Sequence, residues 1–213
     1  VFELCVSCKA CASECPSNVD VAALKAEFLY QYQRANGYSI RNKIFANNAK
    51  LNKLGSIFPA LTNFMVNQSI VKKGMGVASK REVPLLAPKT FRKWIENNKS
   101  NYKANSFQKG KLYLFCDEFT NYYDVSVGID AYELLSQLGY EVLTVDHEES
   151  GRAYLSKGFL EEAKAIANKN VSIFAPIVSH EIPLVGLEPS AILTFRDEYI
   201  RLADDKENAQ KLA

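Results

Sequence analysis

Along the 213 residues the rhythm of apolar and polar positions changes once, near residue 110. Before that point apolar residues recur at helical spacing. Over 21–35, the run VAALKAEFLYQYQRA puts Leu24, Phe28 and Leu29 on one face, with Asn18 or Asp20 as cap and Gly37 as stop. The stretch 39–79 predicts two or three more helices. Their candidate core is Ile44, Phe45, Leu51, Leu54, Ile57, Phe58, Leu61, Phe64, Met65, Ile70 and Val71. Residues 80–108, with Pro84, Pro88 and the polar run ENNKSNYKANS, read as a linker carrying one short helix around Trp94. A domain boundary is expected near 105–110.

Beyond it, short apolar runs alternate with helical segments. KLYLFC (111–116), YEVLTVD (140–146) and PLVGL (183–187) read as strands. Helices are expected over 125–138 (stopped by Gly139), 152–168, a shorter 170–180, and 190–202. Strand and helix in alternation with short loops predict a parallel sheet with right-handed crossovers. The whole is an α+β arrangement: a helical part over 1–40, a second helical region over 41–108, and a small α/β domain with a mostly parallel sheet over 109–213. No internal repeat is present.

Composition excludes several classes. Apolar residues make up 47% and charged residues 23% of the chain, ordinary globular usage, so disorder and low complexity are out. No apolar run approaches the ~18 residues of a membrane span. The formal net charge of +2 conceals a strong asymmetry. Residues 41–111 hold fifteen basic and two acidic side chains, whereas 112–213 hold eight basic and eighteen acidic ones. Basic residues among aromatics raise nucleic acid as a partner, but they are scattered rather than packed in a stripe and no reading motif accompanies them. Two partners remain open for this region: an anionic membrane surface, since basic residues flank the apolar segment 54–71, or an acidic protein surface, including this chain's own acidic half.

Four of the five cysteines fall within eleven residues, as Cys5-Val-Ser-Cys8-Lys-Ala-Cys11-Ala-Ser-Glu-Cys15-Pro16. Cysteines clustered in this way indicate a metal site in a reduced compartment rather than staples of a secreted fold. The C-x2-C-x2-C-x3-C-P spacing is that of bacterial [4Fe–4S] ferredoxins, in which the fourth cysteine ligates the other of two clusters. Zinc favours two C-x2-C pairs with a longer spacer. Cys5, Cys8 and Cys11 are therefore expected to hold one cluster and Cys15 to reach a neighbour. With only Cys116 left over, the second cluster's remaining ligands are expected upstream. The chain opens Val-Phe-Glu-Leu without Met, and the expectation is a piece of a longer polypeptide with an absent or incomplete cluster when isolated.

The run LCVSCKACASECPSNVDVAALKAEFL resembles the second ferredoxin-type motif of large FAD-linked oxidases, in which a D-lactate, glycolate or D-2-hydroxyglutarate dehydrogenase module is fused to an iron–sulfur module. FTNYYD (119–124), GRAYLSKGFLEEAK (151–164) and VGLEPSAILTFRDEY (185–199) resemble the cysteine-rich domain of that family, related to heterodisulfide-reductase and glycerol-3-phosphate dehydrogenase subunits. The resemblance implies an electron-transfer module relaying electrons from an upstream FAD and first-cluster region to a quinone or cytochrome acceptor. It implies a cytoplasmic location, peripheral on the inner membrane face, and no dehydrogenase activity for this segment alone. A metal-stabilised scaffold that only binds a partner is the alternative. The chain departs from the family where relatives carry Cys-Cys-Gly-Arg: here Glu149-Ser150-Gly151-Arg152 stands, and Ala191 follows Glu-Pro-Ser. No metal is expected in this half, and Cys116 reads as a small apolar residue at a strand end. Loops at the carboxyl edge of the sheet, where open parallel sheets bind ligands, carry Asn121, His147, Arg152, Glu188 and Ser190 as a candidate polar site for a small anion or a loop of the flavin module. The alternative there is a hydrogen-bonded cluster that merely closes the sheet.

Overall fold

A computed structural model describes residues 5, 7–17, 19–102 and 109–213. The expected cap Asn18 and most of the expected boundary at 105–110 lie outside the described residues. The fold is α+β. Its sheet has three parallel strands, β1 (Gly110–Phe115), β2 (Tyr140–Leu143) and β3 (Leu184–Gly186), in the order β2-β1-β3. Gly110 pairs with Tyr140 and Tyr113 with Leu143 on one side of β1, while Tyr113 pairs with Leu184 and Phe115 with Gly186 on the other.

Central β1 is covered on both faces, and the alternation of a strand sorts its side chains. Leu112, Leu114 and Cys116 enter one core with Phe91, Ile95, Val125, Tyr132 and Val142. Phe115 enters the other, with Ala167, Val171, Phe174, Phe195 and Tyr199. The first core is closed by α7 (Phe91–Asn98), α8 (Glu118–Tyr122) and α9 (Val125–Gln137). The second is closed by α11 (Leu160–Phe174), α12 (Pro189–Arg196), α13 (Glu198–Leu202) and α14 (Lys206–Leu212), and α10 (Arg152–Ser156) precedes them. Truncating a fully buried Phe such as Phe115 or Phe195 to Ala is expected to cost about 3–5 kcal/mol.

Three sequence expectations need correction here. The expected break near residue 169 lies instead at Lys157-Gly158-Phe159: Gly158 is left-handed at φ 71°, ending α10, and α11 then runs unbroken to Phe174. The single helix over 190–202 is two, Pro189–Arg196 and Glu198–Leu202, with Asp197 between them. The third correction concerns which faces are buried.

Ahead of the sheet lie α1 (Ala10–Glu14), α2 (Val21–Asn36), α3 (Ile40–Ala46), α4 (Asn48–Gly55), α5 (Pro59–Val66) and α6 (Ser69–Gly74). Asp20 caps α2 through the Ala23 N–H at 3.0 Å, and left-handed Gly37 stops it. The buried face of α2 is Ala22, Lys25 and Gln33, while Leu24, Phe28 and Tyr32 are exposed. Likewise, of the expected core of 39–79, Leu51, Leu54, Ile57, Phe58, Leu61, Phe64, Met65 and Ile70 are exposed, Phe58 to 69% and Ile70 to 86%. Small residues and hydrogen bonds seat these helices instead. Ala46 and Ala49 are buried, Tyr154 Oη donates to Asn47 Oδ1 at 2.8 Å, and Tyr123 Oη donates to Asn52 Oδ1 at 2.8 Å. Helical periodicity located the helices but could not tell which face a neighbour would take.

Candidate functional site

The cysteine run forms a loop and the short helix α1. Ser7 and Lys9 both take left-handed backbone angles, φ 57° and 63°, unusual for residues with a Cβ and costing about 1–2 kcal/mol each. Side chains from distant parts of the chain hold the loop in this shape. Lys25 Nζ donates to the Cys5 carbonyl at 2.5 Å, and Arg152 Nη2 donates to the Ser7 carbonyl at 3.0 Å. Lys9 Nζ lies 2.7 Å from Asp197 Oδ2 and 2.8 Å from Glu198 Oε1, the oxygen that also receives Arg152 Nη1 at 2.7 Å. Three cations thus surround a loop of four thiols. Cys5 and Cys15 are half-buried, Cys8 and Cys11 exposed, and no disulfide joins the cysteines.

Helix α2 anchors the loop from behind. Gln33 Nε2 donates to the Lys157 carbonyl at 2.7 Å, and the Gly158 backbone sits so close that a Cβ there would lie 2.6 Å from Leu29 Cβ and 2.8 Å from Tyr30 N. Among the described residues no three thiol, imidazole or carboxylate side chains are grouped as a metal site. The four cysteines share one loop without converging. Their C-x2-C-x2-C-x3-C-P order is a property of the sequence, and the side chains as placed form no ligand group.

The five polar residues expected together at the sheet edge separate into three places. Asn121 and His147 meet beside Cys116. Arg152 turns to the cysteine loop. Glu188 and Ser190 hydrogen-bond to each other at 2.7 Å at the start of α12, exposed. Around Cys116 the geometry is well defined. The Asn121 Oδ1 accepts from the Arg92 backbone N–H at 3.0 Å and lies 3.6 Å from Cys116 Sγ. His147 accepts from the Cys116 N–H at Nε2 (3.2 Å), and its Nδ1 lies 2.6 Å from the Glu148 carbonyl, so the ring is a neutral tautomer with both nitrogens engaged. Burial, with the Arg92 cation beside it, drives its pKa down to about 3. Burial likewise pushes the Cys116 thiol up to about 12, so it remains a protonated, poorly nucleophilic thiol.

Arg92 spans this edge, with Nη1 on Asp146 Oδ1 at 2.7 Å and Nη2 on the His147 carbonyl at 2.8 Å. Glu149 and Ser150 are built into a buried network. The Glu118 carboxylate accepts from the Ser150 N–H and Oγ at 2.9 and 2.6 Å. Tyr199 Oη donates to the Ser150 carbonyl, and Asn170 donates to the Glu149 carbonyl and to Tyr199 Oη. Burial raises the pKa of Glu118, offset by its bonds from Ser150. Sequence reading missed Arg92, Asn170 and Tyr199. The one available signal was Asn170, a polar residue at an apolar position between Ile166 and Phe174 on α11.

Next to this network lies a cavity of about 540 Å³, lined by Lys50 and Lys53 of α4, Arg92, Cys116, His147 and Glu149 among others. A second, largely apolar cavity of about 320 Å³ lies between α2 and α10, beside Ser7 and Arg152.

Among curated proteins the chain is similar to D-2-hydroxyglutarate dehydrogenase of Haemophilus influenzae, at 28% identity over 96% of this chain, and of Escherichia coli, at 29% identity over 92%. The enzyme of that name from Pantoea ananatis shares 26% over 92%. The chain spans about a fifth of the length of these relatives. No family model matches it. No solved structure matches it either.

Proposed function

We propose that this chain is the iron–sulfur electron-relay segment of a larger FAD-linked 2-hydroxyacid dehydrogenase, of the D-2-hydroxyglutarate type named among its relatives. The observation that carries this reading is the cysteine loop. Four thiols at ferredoxin spacing lie on a backbone held in two left-handed turns by Lys25 and Arg152, and the similarity to those dehydrogenases covers 96% of the chain.

A bound [4Fe–4S] cluster supplies single-electron relay between a two-electron flavin donor and an acceptor. The chain's own residues supply the rest. Cys5, Cys8 and Cys11 offer three thiolates, and Cys15 the fourth toward a neighbouring cluster in the upstream region. Lys25 and Arg152 hold the loop through the Cys5 and Ser7 carbonyls, and Lys9 ties it to Asp197 and Glu198. FAD and the hydroxyacid belong to the remainder of the larger enzyme. The exposed apolar side chains of α4–α6, set among basic residues, are the surface available to an acidic partner or an anionic membrane. Among the described residues no helix is long and apolar enough to cross a membrane.

The test is anaerobic reconstitution of this chain with iron and sulfide. The expected product carries iron and acid-labile sulfide with a broad visible absorbance that bleaches on reduction. Cys8→Ser should lose most of the iron while keeping its far-UV spectrum. Zinc bound stoichiometrically in anaerobically prepared protein, with no iron uptake, would instead favour the metal-stabilised scaffold and defeat the relay reading.

A further inference from the structure

The cavity beside the sheet edge has no part in the electron relay, yet it is built like a binding site. It lies at the carboxyl end of β1, where the chain leaves the strand through Cys116 and where the loop after β2 brings 146–149 alongside. Helix α4 forms the opposite wall and contributes Lys50 and Lys53, one turn apart on the same face. At about 540 Å³ the space lies within the usual range for small-molecule sites, roughly 300–1,000 Å³.

The charges lining it are mostly spoken for, and the exceptions are informative. Arg92 is held by Asp146 and His147, and Glu148 pairs with Lys169 at 2.8 Å. Glu118 is satisfied by Ser150. His147 is neutral with both nitrogens engaged. Lys53 makes no ion pair among the described residues, and Lys50, over the Tyr154 ring at 5.3 Å, is hydrogen-bonded to the Tyr154 hydroxyl and lies close to Glu149. On the other side, Glu149 Oε2 is buried and has no hydrogen-bond partner. A buried carboxyl oxygen without a partner is costly, by about 1–3 kcal/mol, and calls for something to meet it.

We propose that this cavity binds a small carboxylate anion, held by the Lys50 and Lys53 ammonium groups and by a hydrogen bond with the Glu149 carboxyl. Burial, together with the nearby Glu118, raises Glu149 to about 8, so near neutral pH the group is protonated and donates to an anion instead of repelling it. A carboxylate brings less negative charge than a phosphate past Asp146 and Glu148, which also line the space. The site uses Glu149, which stands in the segment where relatives of the resembled family carry cysteines. The thiol-poor edge of this sheet is thus assigned a ligand-binding role of its own, independent of whether the cysteine loop carries a cluster.

Isothermal titration of the chain at pH 7 with succinate, inorganic phosphate and neutral succinamide tests the assignment. Succinate should bind saturably and succinamide should give no binding heat. Lys53→Ala, at an exposed position that leaves the core intact, should weaken succinate at least about tenfold, equivalent to about 1.4 kcal/mol. Lys206→Ala, on α14 and outside the cavity lining, should bind like the parent chain. Absence of saturation, or equal affinity in Lys53→Ala, would overturn the site. Phosphate binding more tightly than succinate would overturn the carboxylate assignment.

Discussion

Replacing Gly158 with Ala should detach α2, and with it the anchor of the cysteine loop, from the sheet domain. Two separable effects arise. Gly158 is left-handed at φ 71°, which costs an alanine about 1–2 kcal/mol. The new Cβ would also lie 2.6 Å from Leu29 Cβ, 2.8 Å from Tyr30 N and 2.9 Å from Leu29 C, two of which are backbone atoms that cannot rotate away. The helix must move out, and the 2.7 Å bond from Gln33 to the Lys157 carbonyl lengthens or breaks. Losing that bond adds about 1 kcal/mol, and the packing displaced with it about as much again. The total is roughly 3–4 kcal/mol. Gly151→Ala is the control: it is left-handed at φ 76°, but its Cβ would meet nothing nearer than 3.4 Å, so only the conformational cost applies. Urea unfolding monitored by circular dichroism should therefore place Gly158→Ala about 2 kcal/mol below Gly151→Ala. Limited proteolysis should cut Gly158→Ala first around the cysteine loop. Equal stabilities within about 0.5 kcal/mol would refute the claim that α2 is seated by backbone contact at this glycine.

Other outcomes follow from the same geometry. Glu149 has its carboxyl raised from the ordinary 4.5 to about 8, so its contribution to stability is present below pH 4.5 and is lost as pH climbs to about 8. The decline is at most about 1.4 kcal/mol per pH unit, roughly 5 kcal/mol across the window as an upper bound. Glu149→Gln should flatten the fall in Tm between pH 5 and 8, and parallel curves for the two proteins would contradict it. Arg152→Ala removes the bond to the Ser7 carbonyl and leaves Glu198 paired only with Lys9; a loss of about 2–3 kcal/mol in urea unfolding is expected, and a combined Arg152→Ala/Glu198→Gln protein should lose less than the sum of its parts. The exposed apolar face should make the chain sediment with vesicles containing phosphatidylserine, less so at high salt, with Phe58→Ser and Phe64→Ser reducing the effect; sedimentation indifferent to anionic lipid would remove the membrane as a partner.

Much of the fold could be read from the residues because strands and stops are local signals. KLYLFC and YEVLTVD are short apolar runs and Gly37 and Gly139 are left-handed stops, so their elements fall close to where spacing puts them. The faces of α2 and α4–α6 could not be read, because which side of an amphipathic helix meets the protein depends on neighbours far away in sequence. Ala46 and Ala49 win the interior through Tyr154 and Tyr123, which no periodicity reveals. The cysteine run was legible as a motif from spacing alone. Its supports were not: Arg152 was placed at the sheet edge, and only the fold shows it reaching Ser7. Glu188 and Ser190 followed the opposite course, reading as site residues and proving to be a helix cap.

The loop and its supports are also far apart in time. Lys9 reaches Asp197 across 188 positions, and the Arg152 that clamps Ser7 comes 145 positions later in the chain. At typical rates of synthesis, about 5–20 residues per second, the thiols emerge roughly 10–40 s before the last of the side chains that hold their backbone in its strained shape. During that interval only Lys25 is near enough in sequence to support the left-handed turns at Ser7 and Lys9. The final shape of the loop is therefore a late event, reached once Arg152, Asp197 and Glu198 have folded against it, so the quality of the C-terminal fold sets how the N-terminal thiols are presented.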